Sequence, residues 1–143
     1  MRLGLRVVAA LGMLGIPAAA AAQQADSVRP TRLGVYTAAQ AARGRSIYLM
    51  SCASCHTQAS HAGPVFAARW DGRLLWDLYR YVSELMPKSD PGSLAPAEYA
   101  GVVAYLLKMN GMPAGAEELS SDSTALKKVR IELIAKRDST LER

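Results

Sequence analysis

Cysteine and histidine are scarce in this chain, with two of each among 143 residues. With no second C-x-x-C and no paired-histidine motif, nothing in the sequence completes a zinc tetrahedron. Large aromatics are thin as well: one Phe and two Trp, in an apolar half that leans on alanine and leucine. That composition favours helices over strands. No run of Lys or Arg is present, and the net charge of +5 falls to +3 if Arg2 and Arg6 are removed with a leader. A balance so mild does not argue for nucleic acid. No internal repeat or low-complexity domain interrupts the chain, and its length suits one domain with a modest core.

Long apolar runs are also missing, with one short exception. Val7 to Ile16 follows Arg2 and Arg6, is broken by Pro17, and leads to Ala20-Ala21-Ala22 before Gln23. A basic start, a short apolar stretch and small residues at the exit describe a secretory signal peptide over residues 1–22. A retained membrane anchor is the alternative, but a spanning helix needs about 20 apolar residues. The expected location is the periplasm, or its membrane face if the segment is kept.

What is present is Cys52-Ala53-Ser54-Cys55-His56. C-x-x-C-H is the pattern of c-type haem attachment. Residues three apart on a helical turn share a face, so two thiols can meet one edge of a porphyrin as thioethers. His56 can then turn its imidazole under the iron. A dithiol redox centre, half a zinc site or a tight disulfide use the same two cysteines. No strand-like alternation flanks the motif, as a βαβ dithiol site would require. Covalent haem attachment outside the cytoplasm agrees with the signal segment, and a haem would supply much of the missing aromatic core.

Residues 23–36 are polar and proline-bearing, and read as an extended leader. Thr37-Ala38-Ala39-Gln40 is a capping box, opening a helix to about Met50 with Ala41, Gly44, Ile47 and Tyr48 inward. Gly44 costs helix stability, which points to close approach of another element. Residues 57–68 read as a loop through Gly63-Pro64. A second helix is expected over 73–84, on the helical spacing of Leu74, Leu75, Leu78, Tyr81 and Val82. Met86-Pro87 and the Pro91-Gly92 turn follow. Pro96 suits the first position of a third helix ending near Met109, before Asn110-Gly111. Asp122 or Ser123 should cap a last helix through Leu126, Val129, Leu133 and Ile134.

A haem iron held by one histidine needs an occupant on its other face. His61 is tethered too closely to His56 to cross over and reads as a loop histidine. Met50 lies in the first helix beside the attachment site, and Met109 and Met112 end the third helix, where burial is usual. Met86 follows a helix, precedes the direction-fixing Pro87, and comes thirty residues after His56. It is the expected second axial ligand, against a helix-end core methionine as the alternative.

These features together resemble class I cytochromes c. The likeness runs over roughly residues 36–115: Gly44 and Tyr48, Cys52 to His56, Gly63-Pro64, Met86-Pro87, and Tyr99 to Leu107. It implies an all-α fold of three core helices around one covalent haem c, here with an extra C-terminal helix. The expected divisions are a signal peptide (1–22), a leader (23–36), a cytochrome c domain (37–115) and a C-terminal extension (116–143). In that family two core helices cross near a glycine and an aromatic, a role matched by Gly44 and Tyr48 against Tyr105. The resemblance makes Pro64 the partner of the His56 imidazole through its carbonyl. Trp70 becomes a propionate donor or a core tryptophan. Arg69 and Arg73 become propionate partners or solvated surface groups. Met86-Pro87, Pro91 to Leu94 and Asn110 to Gly115 are most similar to modules accompanying pyrroloquinoline-quinone dehydrogenases. Two departures are the short segment between His56 and Met86 and Thr57 where relatives often have glycine.

The expected function is electron transfer without catalysis, since His and Met ligation leaves no open site on iron. Partners would be redox proteins: a dehydrogenase donor, and an oxidase or another cytochrome as acceptor. The alternatives are a tightly bound dehydrogenase subunit docked through residues 122–137, a haem-based gas sensor or peroxidase-like protein, and a non-haem dithiol or metal protein.

Overall fold

The computed structural model describes residues 27–133. The signal segment and the end of the expected last helix lie outside them. In chain order the elements are β1 (Arg29–Pro30), α1 (Ala38–Ser51), α2 (Pro64–Trp70), α3 (Leu75–Leu85), α4 (Pro96–Met109), α5 (Ser123–Leu126) and β2 (Val129–Arg130). The all-α class implied by the resemblance is the class found; the two strands are two residues each and pair in parallel, Arg29 with Val129 and Pro30 with Arg130.

Helix α4 is the centre of the molecule. Every residue from Tyr99 to Leu107 is buried, so its apolar run packs on all sides rather than along one stripe. Pro96 stands at its first position, and the Glu98 carboxylate accepts the Ala95 N–H at 2.8 Å. Helix α1 lies directly against α4: a Cβ built on Gly44 would fall 1.8 Å from the Gly101 carbonyl oxygen. Only a missing side chain allows that approach. Beside it the Tyr48 and Tyr105 rings are 5.4 Å apart and tilted by 59°. The glycine-and-aromatic contact expected between these helices is therefore present.

The cap of α1 is half as expected. Thr37 Oγ1 accepts the Gln40 N–H at 3.1 Å, but the Gln40 side chain does not turn back to Thr37. Its amide donates to the Leu119 carbonyl at 2.8 Å and accepts the Leu119 N–H at 2.7 Å. A distant backbone segment with no ladder partner outcompetes the local cap.

The end of the extended leader is tied into the core: Thr31 and Val35 are buried, Tyr36 is 1% exposed, its hydroxyl donates to the Met112 carbonyl at 2.5 Å, and its own carbonyl accepts the Gly115 N–H at 2.7 Å. Two other expectations change. The stretch read as a loop over residues 57–68 contains the start of α2, with Pro64 at the first helical position and Phe66 and Trp70 buried. The second change concerns the last helix, which stops after one turn. Asp122 does cap it, accepting the Ala125 N–H at 2.9 Å, but the chain then extends. Ile131 exchanges backbone bonds of 2.8 Å with Gly72 and Arg73, and Leu133 N–H reaches Asp71 Oδ1 at 3.0 Å. β-Branched Val129 and Ile131 suit that extended path, which buries Ile131 fully.

Candidate functional site

Cys52 ends α1. Its N–H donates to the Tyr48 carbonyl at 2.9 Å, and the next turn closes by Cys55 and His56 N–H bonds to the Cys52 carbonyl, 3.1 and 3.0 Å. That turn brings Cys52, Cys55 and His56 to one edge of a cavity of about 450 Å³, within the usual size of a cofactor site. Met86 reaches the same cavity from the end of α3. Its N–H donates to the Val82 carbonyl at 3.1 Å, and its carbonyl accepts the Tyr99 hydroxyl at 2.8 Å. The walls are mostly apolar: Phe66 and Trp70 from α2, Leu78 and Val82 from α3, Val102 and Leu106 from α4. Arg69 and Lys88 also line it, and among the described residues no carboxylate does.

Five of the six residues singled out in the sequence thus share this cavity: Cys52, Cys55, His56, Met86 and Trp70. Met86 is the one methionine lining it among the described residues, whereas Met50 is 76% exposed and Met112 is buried elsewhere. Pro64 is the sixth. It opens α2, outside the lining, and no hydrogen bond joins its carbonyl to the His56 ring among the described residues.

His61 departs from its expected role. Read as a plain loop histidine, it lines the cavity with its ring centroid 4.6 Å from that of His56. Burial, then the charges of His56 and Arg69, hold its pKa below the usual histidine value. Three side chains fasten the segment that carries both rings. Tyr48 donates toward the His56 and Thr57 carbonyls at 3.2 and 3.4 Å, Gln58 donates to the Tyr105 hydroxyl at 2.9 Å, and Asn110 grips His61 and Gly63. Asn110 was legible in sequence only as a helix stop. At the outer wall, the Arg69 guanidinium lies 4.1 Å from the Tyr81 ring and 5.1 Å from the Trp70 ring.

Neither thiol is disulfide-bonded, and burial pushes the Cys52 thiol above its ordinary pKa. Reactive dithiol sites lower it. Among the described residues no three His, Cys, Asp or Glu side chains gather as a metal cluster. The zinc alternative therefore has no ligand set among the described residues.

Residues 39–106 match the family model described as cytochrome c oxidase, cbb3-type, subunit III. Over these residues the chain is similar to a cytochrome c domain. It carries covalent haem c, with Cys52 and Cys55 as the thioether pair. No curated protein and no solved structure matches the chain. The lining suits such a haem group: thiols at one edge, mostly apolar walls, and Arg69 and Lys88 with no carboxylate among the described lining residues. Cytochrome c domains carry electrons through haem iron, and members of the family are generally carriers rather than enzymes. No helix among the described residues is long and apolar enough to cross a membrane.

Proposed function

We propose that this protein is a periplasmic electron carrier whose single haem iron is held by His56 and Met86. The observation that carries the reading is the shared cavity: the thioether cysteines, His56 and Met86 line one apolar space. When bound, haem c supplies reversible one-electron transfer between ferrous and ferric iron. The chain's own residues supply the rest. Cys52 and Cys55 keep the group attached in both states. His56 gives an imidazole nitrogen and Met86 a thioether sulfur, which favours reduced iron and raises the potential. Phe66, Leu78, Val82, Val102 and Leu106 exclude water, which favours the less charged, reduced state. Tyr99 holds the Met86 backbone by its 2.8 Å hydrogen bond. Trp70 and Arg69 meet a propionate edge, where Trp70 N–H is a donor.

If His56 and Met86 both hold the iron, it would have no position left for a substrate, and the protein would exchange electrons alone. Small, transient interfaces suit such encounters. Attachment of haem outside the cytoplasm and the N-terminal segment support a periplasmic address. The matched family is named for an oxidase subunit, so an oxidase is the redox partner to try first. The quinoprotein dehydrogenase association suggested by the C-terminal stretch has no support beyond that stretch.

The test is an optical spectrum of full-length holoprotein, wild type against Met86→Ala. Ferric wild type should show the weak far-red band of iron–methionine ligation, and the variant should lose it and bind carbon monoxide when reduced. A wild type that lacks the band, or binds carbon monoxide readily, would return the protein to the sensor class.

A further inference from the structure

The chain between α3 and α4, residues 86–94, carries Met86 at its start and has little of its own to hold it. Its internal bonds are two local turns: Asp90 N–H donates to the Pro87 carbonyl at 3.1 Å, and Ser93 N–H to the Asp90 carbonyl at 3.3 Å. Residues 88–93 are all exposed. A segment with few buried contacts opens at low cost, yet this one delivers a side chain to the haem cavity.

One buried side chain fastens both of its ends. Tyr99, near the start of α4, is 3% exposed. Its hydroxyl donates to the Met86 carbonyl at 2.8 Å and accepts the Leu94 N–H at 3.4 Å. A phenol can donate and accept at once, so a single oxygen closes the loop. Apart from the Met86 N–H, which bonds to the Val82 carbonyl of α3, no other hydrogen bond joins residues 86–94 to a helix among the described residues. Buried tyrosine hydroxyls need partners, and here both partners belong to one loop. Tyr99 is not part of the cavity lining, so it meets the loop from outside the haem space.

A ligand on the same chain competes with outside ligands through its effective concentration at the metal, which its tether sets. We propose that Tyr99 is a positioning residue: its hydroxyl closes the Met86 loop and so keeps outside ligands off the iron. This role rests on the reading of Met86 as iron ligand and goes beyond it by naming the group that decides how easily Met86 is displaced. Tyr99 acts through the Met86 backbone.

The experiment titrates ferric full-length protein carrying covalent haem with imidazole, following the Soret band and the far-red band of iron–methionine ligation. The variants are Tyr99→Phe, Met86→Ala, the two combined, and Tyr36→Phe, which loses a buried hydroxyl bond of the same kind, to the Met112 carbonyl. Tyr99→Phe keeps the ring and its burial. It should bind imidazole about tenfold more tightly than wild type, the factor that one net hydrogen bond is worth. Tyr36→Phe should match wild type. The double variant should match Met86→Ala, because without the sulfur Tyr99 has nothing to hold. Wild-type affinity in Tyr99→Phe overturns the proposal, and so does an equal gain in Tyr36→Phe, the mark of general loosening. A double variant that binds more tightly than Met86→Ala overturns it as well.

A second measurement uses wild type alone and stands even where Tyr99→Phe folds poorly. Imidazole that displaces Met86 should speed hydrogen exchange at the Leu94 N–H, while the Met112 N–H, bonded to the Leu107 carbonyl at 3.1 Å, keeps its rate. An unchanged Leu94 rate overturns the clamp. Ferric wild type without the far-red band refutes Met86 ligation itself, before any variant is compared.

Discussion

The Gly44 backbone lies so close to Gly101 that a Cβ on Gly44 would fall 1.8 Å from the Gly101 oxygen and 2.2 Å from its carbonyl carbon. The relation is not symmetric. A Cβ on Gly101 would meet its nearest atom, Gly44 Cα, at an ordinary 3.5 Å. Gly44→Ala must therefore push two helix backbones apart, at a cost of about 3 kcal/mol or more. Gly101→Ala should be neutral or stabilise by up to about 1 kcal/mol through helix propensity. Denaturant midpoints of the two holoproteins check the pair. Equal losses would mean that the helices do not meet as described.

Gln40 gives a second prediction. Its amide satisfies both the N–H and the carbonyl of buried Leu119. Gln40→Leu leaves both without partners and should cost roughly 2–6 kcal/mol, at about 1–3 kcal/mol per orphaned buried group. Gln40→Glu can still accept from Leu119 N–H, but a carboxylate cannot donate to the Leu119 carbonyl. Its stability should recover toward wild type as pH falls and the carboxyl gains a proton. A pH-independent deficit in Gln40→Glu would count against this hydrogen-bond pair.

Residue by residue, what could be read in advance was what local periodicity and spacing encode. Pro96 to Met109 was legible as a helix because its proline start, apolar interior and Asn-Gly stop agree. Cys52, Cys55, His56 and Met86 were legible as a group that shares one cavity, because haem chemistry restricts residue type and spacing. Partners chosen by tertiary contact were not. Gln40 matched a capping box, and nothing local showed that Leu119 would claim its side chain. Asn110 read as a stop, since its bonds to His61 and Gly63 cross forty-nine and forty-seven positions. Two misses had local signals. Gly63-Pro64 ahead of Val65-Phe66 is a helix start, with proline in the first turn. Val129-Arg130-Ile131-Glu132 alternates with period two, and that period argues for an extended segment over a helix.

The Tyr36 hydroxyl makes a pH-dependent prediction. Burial holds its pKa above the ordinary 10.0, so the folded protein favours the neutral phenol that donates to Met112. A pKa raised on folding contributes stability that is fully present below pH 10 and lost as pH rises through the folded value. Tyr36→Phe keeps the ring but orphans the Met112 carbonyl, and should cost about 1–2 kcal/mol at pH 7. The gap between wild type and Tyr36→Phe should close above pH 10. Urea unfolding across pH 7 to 11 measures it, and a gap constant over that range would remove Tyr36 from the alkaline limb.

The C-terminal strap makes the last prediction, and it links stability to the haem site. Ile131 is fully buried and its backbone is bonded to Gly72 and Arg73. Those residues join α2, which gives Trp70 to the cavity, to α3, which gives Leu78, Tyr81 and Met86. The chain between His56 and Met86 is short, so this joint has little sequence of its own to brace it. The strap provides the brace from outside. Ile131→Ala keeps the backbone bonds but removes the anchor, and should cost about 3 kcal/mol, as a buried large-to-small change does. The loosened joint should also free the Met86 side first, so that reduced Ile131→Ala protein binds carbon monoxide more readily than wild type. Arg130→Ala is the control. It loses one exposed hydrogen bond to the Gly72 carbonyl, and should cost under about 1 kcal/mol with no gain in carbon monoxide binding. If Ile131→Ala lowers stability but leaves carbon monoxide binding at the wild-type level, the strap braces the fold without reaching the Met86 wall.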